Sequence, residues 1–147
     1  MSKLYSYTHP RPALSVDIVV FRSEANQLQV LLVRRGRPPF AGRWALPGGF
    51  VGIDESLDDA ARRELEEETG LRQTEVKQFH TYGDPRRDPR GRVVTVAYYA
   101  IVPGDVPLRG GDDAAEARWF AVDDLPELAF DHAQIVRDAL QRLRQNG

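Results

Sequence analysis

The chain contains no cysteine. That excludes disulfides, thiol nucleophiles and cysteine-based zinc or iron–sulfur sites. Its three histidines, His9, His80 and His132, lie far apart and have no ligand-like spacing. Any ion bound here would be met by oxygens, which selects a hard cation such as magnesium, manganese or calcium. No apolar run approaches the roughly 20 residues needed to span a bilayer. The stretch Met1–Tyr7 lacks the apolar segment of an export signal. A cytoplasmic protein with no membrane partner is therefore expected. There is also no basic surplus: 20 Lys and Arg face 22 Asp and Glu, for a net charge of −2. Duplex binders carry such a surplus to neutralise phosphates, so nucleic acid is not an expected partner.

The 147 residues are enough for one domain with a real core, and 41% hydrophobic with 29% charged residues argues against a disordered chain. Residues 1–12 hold Tyr5, Tyr7, Pro10 and Pro12 and read as an extended arm. Its aromatics have no core of their own to join, and a homodimer is expected on that ground. Ala13–Phe21 and Leu28–Val33 are apolar and β-branched, and Glu24-Ala25-Asn26 between them reads as the turn of a hairpin. Residues 35–42 are a loop, and Pro47-Gly48-Gly49 breaks the short apolar stretch Trp44-Ala45-Leu46. Ser56 followed by Asp59 predicts a capped helix running to Thr69, with Gly70 as its C-cap. Strands are expected over 75–82, 93–102 and 117–122, then a last helix capped by Asp131 and ending near Gln145. This order implies an α/β layered domain with a mixed sheet.

The helix after Ser56 is unusual. At about 100° per residue, Ala60, Ala61 and Leu65 form a core-facing stripe. Glu64, Glu67 and Glu68 fall within or beside that stripe. Buried like charges repel and are costly to desolvate, and a divalent cation would compensate them. The alternative is a solvated acidic face with intrahelical pairs such as Arg62–Glu66 and Arg63–Glu67. The preceding glycines favour the first reading, because they let backbone carbonyls approach a ligand.

The segment Gly49-Phe-Val-Gly-Ile-Asp-Glu55-Ser-Leu-Asp-Asp-Ala-Ala-Arg-Arg63-Glu64-Leu65-Glu66-Glu67-Glu68-Thr69-Gly70-Leu71 resembles the Nudix box, G-x5-E-x7-R-E-U-x-E-E-x-G-U with U a bulky aliphatic. Every fixed position is filled. The resemblance implies the Nudix α/β/α sandwich, a central mixed sheet with the box as a loop–helix–loop beside it. It also implies Mg2+ or Mn2+ as cofactor. Glu64, Glu67 and Glu68 would be metal ligands, joined by the main-chain carbonyl of Gly48. Arg63 would orient the glutamates, and Glu55 would anchor the loop or act from outside the ligand set. Gly49 and Gly70 hold the ends of the box. The family's general base varies: here it is Glu64, or a distant acid for which Glu116 is the best placed, unless Glu116 is an ordinary loop residue.

Beyond the box the chain is similar to the branch associated with ADP-ribose pyrophosphatases. Arg11-Pro-Ala-Leu-Ser-Val-Asp17, Pro39-Phe-Ala-Gly-Arg-Trp-Ala-Leu-Pro47, Asp84-Pro-Arg-Arg-Asp-Pro-Arg90 and Leu128-Ala-Phe-Asp-His132 carry that similarity, together with Pro85 after the box. It implies a small-molecule nucleotide substrate, foremost ADP-ribose, cleaved to AMP and ribose 5-phosphate. A Nudix hydrolase of a nucleoside triphosphate or dinucleotide, and a non-catalytic nucleotide-sugar sensor, are the alternatives. Arg35, Arg86, Arg87 and Arg90 are candidate phosphate contacts, although the arginine loop also reads as a solvated turn or a dimer contact. Phe40 is a candidate for stacking on a base, or for loop packing.

Overall fold

A computed structural model describes residues 4–108 and 114–146. Strands β1 (Ala13–Glu24) and β2 (Gln27–Arg35) form the expected hairpin. Ala25 and Asn26 both have positive φ, 52° and 62°, the primed-turn geometry that matches strand twist. Then come β3 (Trp44–Ala45), β4 (Gly48–Phe50), helix α1 (Leu57–Thr69), β5 (Lys77–Tyr82), β6 (Val93–Ile101), β7 (Ala114–Ala121) and helix α2 (His132–Asn146). Met1 to Lys3 of the arm lie outside the described residues, and the rest of the arm is exposed and forms no strand.

The seven strands make one mixed sheet. Its path runs β3-β2-β1-β6-β5, with β4 beside β1 and β7 beside β2. Among the described strands β1 and β6 are the parallel pair, in register from Ala13↔Val93 to Phe21↔Ile101. β1 pairs with β2 over Phe21–Glu24 near the hairpin turn, and with β4 over Ser15–Asp17 further back.

Helices cover both faces. Val16, Ile18 and Val20 of β1 join Ala60, Ala61 and Leu65 of α1 in one core. Val19 and Phe21 join Ile135, Val136 and Ala139 of α2 in the other. A strand buried on both faces reads as a continuous apolar run, which is why Ile18–Phe21 shows no alternation. Leu65 is fully buried. Leu65→Ala should cost about 3 kcal/mol and lower the melting temperature by roughly 10 °C, read by thermal unfolding.

The segment Pro47–Gly49 departs from the sequence expectation. It does not simply break the chain, because Gly48–Phe50 is a strand on β1. A Cβ on Gly48 would collide with β1, standing 2.5 Å from Asp17 Oδ1, so the strand exists here because the residue is glycine.

Candidate active site

The glutamate helix begins and ends as its sequence demands. Ser56 Oγ accepts the Asp59 N–H at 3.1 Å, and Gly70 closes the helix in the left-handed region at φ 82°. Ala60, Ala61, Leu65 and Thr69 are its buried residues. Glu64 and Glu68 emerge at the edge of that stripe and line a cleft of about 480 Å3. A Cβ on Gly49 would stand 2.5 Å from the Glu64 carboxyl carbon, so the helix lies directly against the glycine strand. Gly48 N–H donates to Glu68 Oε1 at 3.2 Å. The β1–β4 ladder shows which way Gly48 faces. Ile18 N–H bonds Pro47 O and Val51 N–H bonds Leu14 O, so the intervening Asp17–Gly48 pair is not mutually bonded. Both polar backbone groups of Gly48 therefore face away from β1, to the side of Glu68.

Burial pushes the Glu68 carboxyl up to about 9, reinforced by its hydrogen bond to Glu64, the Glu64 charge and the nearby Asp17. Arg63 organises the rest of the loop and helix. Its Nε and Nη2 grip Glu55 at 2.6 and 2.9 Å, Nη1 donates to Glu64 Oε1 at 2.8 Å and Glu67 at 3.3 Å, and Nη2 reaches Phe50 O at 3.1 Å. Glu55 also accepts the Gly52 N–H at 3.0 Å. These bonds, led by Arg63, hold the Glu55 carboxyl down at about 2.

Beneath the glutamates lies a buried polar network. Asp17 accepts Thr95 Oγ1–H at 2.7 Å and lies 3.5 Å from His132 Nε2 and 4.0 Å from Arg87. Arg87 is committed to Asp131 through two bonds, 2.9 and 2.7 Å. Burial raises the Asp17 carboxyl against the pull of His132, Thr95 and Arg87, and burial lowers the His132 imidazole. His132 Nδ1 accepts the Leu46 N–H at 3.0 Å, so the ring carries its proton on the other nitrogen.

The opposite wall is cationic and aromatic. Arg35 and Arg90 line it with Phe130, whose ring sits 5.0 Å from the Arg35 guanidinium and 5.4 Å from that of Arg90. Arg90 is also held by Asp88, at 3.1 and 2.7 Å. Arg35 donates to Pro39 O at 2.7 Å. Burial and then the neighbouring Arg90 lower its pKa. An anion between these two side chains would relieve both.

The NUDIX domain family matches residues 11–142. The chain belongs to the Nudix family. It is 40% identical over 141 residues to an ADP-ribose pyrophosphatase of Methanocaldococcus jannaschii, covering 96% of this chain and 79% of that one. It is 35% identical over 139 residues to an ADPR responsive transcriptional repressor of Acinetobacter baylyi, covering 92% of this chain but 56% of the repressor. The NUDIX domain of Shewanella oneidensis NrtR, solved with ADP ribose, superposes with a TM-score of 0.85 at 38% identity, over 92% of this chain and 90% of that one. The mixed sheet between two helices is the Nudix α/β/α sandwich.

Of the glutamates of the Nudix box, Glu64 and Glu68 reach the cleft. Glu67 is exposed and does not line the cleft, although the Arg63 Nη1 that holds Glu64 also reaches it at 3.3 Å. Among the described residues, no three carboxylates or histidines stand together as a ready metal cage. Two carboxylates and a backbone carbonyl nevertheless suit Mg2+, which binds through one or two carboxylates and keeps water or phosphate oxygens in its other positions. The orphan in this arrangement is charge: burial and the adjacent Glu64 raise the Glu68 carboxyl, and a cation beside it would offset both effects. The residues present fit the ion.

Other expected residues separate in the same way. Glu116 stands in β7 between Arg34 at 3.4 Å and Arg118 at 2.8 Å; Arg34 lines the cleft and Glu116 does not. Its backbone position opposite Arg34 explains the pairing. Arg86 is exposed and outside the cleft, and its backbone N–H donates to Asp84 Oδ1 at 2.8 Å. Arg87 reaches the cleft floor but is occupied by Asp131. The Asp131 carbonyl receives the first helical N–H groups of α2, as expected of the residue at its N-terminus, while its carboxylate is taken by Arg87. Phe40 packs edge-on behind Phe130 at 4.9 Å. Arg62 pairs with Asp59, and Glu66 with Arg72. Sequence reasoning assigned no role to Asp17, Phe130 or His132. The signal for Asp17 was present, as a lone carboxylate inside an apolar strand is almost never buried without a partner.

Arg63 makes five polar contacts that no other side chain reproduces. Arg63→Lys keeps the charge but loses the fork, and turnover should fall about tenfold to a hundredfold with little change in fold, read by steady-state kinetics and circular dichroism.

Proposed function

We propose that this Nudix chain hydrolyses the diphosphate of a nucleoside diphosphate derivative, ADP-ribose foremost, to AMP and ribose 5-phosphate. The observation that carries this reading is the cleft's polarity. A carboxylate pair that calls for a cation, Glu64 and Glu68, faces an arginine pair that calls for an anion, Arg35 and Arg90. A diphosphate with its counter-cation satisfies both. The similarity to an ADP-ribose pyrophosphatase and to a domain solved with ADP ribose supports the choice of nucleotide.

Mg2+ or Mn2+, held by Glu64, Glu68 and the Gly48 carbonyl, would neutralise diphosphate oxygens and make the attacking water more acidic. Arg35 and Arg90 bind the phosphoryl oxygens, and Phe130 shields that wall from solvent. Arg63 holds Glu64 through Oε1 and so orients its carboxylate toward the cation and the water whose proton it would take. Glu116 is too committed to its arginines to be preferred as the base. Binding the cation requires Glu68 to lose a proton that burial retains to about pH 9. Cation affinity should therefore rise between pH 6 and 9, as titration with Mn2+ would reveal.

The cell-level reading accompanies the chemistry. We take the protein to be cytoplasmic, to act on a small molecule rather than nucleic acid, and to pair as a homodimer through the exposed Leu4, Tyr5 and Tyr7. A monomer mass at micromolar concentration would refute the pairing.

The test is a comparison of specificity constants. ADP-ribose should exceed any nucleoside triphosphate, dinucleoside polyphosphate or NADH, because a triphosphate brings charge but no second sugar. A higher constant for one of those would reject ADP-ribose while sparing the Nudix chemistry. Binding of ADP-ribose without turnover would favour the sensor, the reading to which the similarity to an ADPR responsive repressor points.

A further inference from the structure

Three stretches outside the box converge under the cleft: Asp17 from β1, Arg87 from the loop before β6, and Asp131-His132 at the start of α2. Nothing in the chemistry above uses His132, yet it is buried to within 3% and makes two directed contacts. Its Nδ1 accepts the Leu46 N–H at 3.0 Å, and its Nε2 faces Asp17 Oδ1 at 3.5 Å. The acceptor role of Nδ1 places the ring proton on Nε2. Neither nitrogen keeps a free lone pair, so His132 is not a base for the attacking water.

Leu46 immediately precedes Pro47, which has no N–H to give. The Leu46 N–H is thus the last main-chain donor before Gly48, whose own N–H goes to Glu68. The turn from β3 to β4 is held at three points: Leu46 N–H by His132, Pro47 O by Ile18 N–H at 2.9 Å, and Gly48 by Glu68. Asp17 closes the circuit, since its carboxylate both faces the imidazole and lies against the Gly48 backbone. Thr95 and the Arg87–Asp131 pair hold Asp17 in turn.

We propose that His132 is a positioning residue of the cation site: through the Leu46 N–H it fixes the Pro47–Gly48 backbone, and so the facing of Gly48 toward Glu68. This rests on the metal-dependent reading given above. Outer partners of this kind typically alter metal affinity by about 10- to 100-fold. The imidazole does so without touching the ion, by setting the orientation of a carbonyl two residues away in sequence from the group it binds.

The test uses the full chain and Mn2+ alone, with free ion measured by electron paramagnetic resonance and no substrate present. His132→Leu removes the acceptor at similar volume and should weaken Mn2+ binding by about tenfold or more. His132→Asn returns an acceptor near Nδ1 and should recover most of that loss. Equal Mn2+ affinity in wild type and His132→Leu would overturn the proposal while leaving the metal reading intact. Absence of Mn2+ binding by the wild type would remove both. Should His132→Leu fail to fold, nitrogen-15 spectra of the wild-type protein decide the matter. The imidazole should be the Nε2–H tautomer, with the Leu46 amide among the slowest to exchange. An Nδ1–H tautomer, or a rapidly exchanging Leu46 amide, would refute it.

Discussion

Glu68→Gln should lower turnover by about a thousandfold or more, because one side chain serves both the cation and the charge developing in the transition state. The same substitution should stabilise the metal-free protein. Burial and Glu64 raise the Glu68 carboxyl from its ordinary value to about 9. A carboxyl raised on folding binds its proton more tightly in the folded state. Its contribution is fully present below about pH 4.5 and is lost as pH climbs toward 9. The neutral amide escapes that loss. Metal-free Glu68→Gln should therefore unfold some 3–6 °C above wild type at pH 8, a gain of about 1–2 kcal/mol, and with no advantage at pH 4. Adding Mg2+ should narrow the gap by stabilising the wild type. Calorimetry with and without the ion measures this. A variant no more stable than wild type at pH 8 would mean that Glu68 is not strained by its surroundings, and near-normal activity would remove α1 from the mechanism.

The second large effect lies at Arg87. Arg87→Leu should destabilise the fold by about 3–5 kcal/mol, because buried Asp17 and half-buried Asp131 would remain without their cation. Arg87 is nearly inaccessible, with 4% of its side chain exposed. A surface phosphate contact would behave differently: its loss would raise KM and leave unfolding unchanged. The replacement of both partners, Arg87→Leu with Asp131→Leu, should recover much of the stability, since it is the uncompensated charge that costs most. Urea unfolding of the two variants distinguishes the outcomes. An Arg87→Leu protein as stable as wild type would return Arg87 to the list of exposed phosphate contacts.

The fold was legible wherever local chemistry acts alone. The hairpin at Ala25-Asn26, the Ser56 cap and the Gly70 stop are decided by a few adjacent residues, and they stand where the pattern put them. The box glutamates Glu64 and Glu68 were legible too, since charges inside an apolar stripe call for explanation. What the sequence could not convey were pairings across long separations. Thr95 meets Asp17 across 78 residues and His132 meets Leu46 across 86. No periodicity encodes such contacts. Arg87 shows the consequence: beside Arg86, Arg90 and Arg92 in one loop it reads as a phosphate contact, and only its proximity to Asp131 reveals a structural duty. Gly48 and Gly49 read as breakers because glycine ordinarily weakens a strand. Here their lack of side chains is what admits the strand between Asp17 and Glu64.

The central claim is that this chain uses water and a hard divalent cation to divide a nucleotide diphosphate. Hydrolysis of ADP-ribose in oxygen-18 water, with Mg2+ or with excess chelator, tests it most directly by the mass of the products. The account predicts AMP and ribose 5-phosphate with a single label carried by one of them, and negligible product in chelator. Full turnover in chelator, or cleavage that leaves the label out of both phosphates, would contradict it.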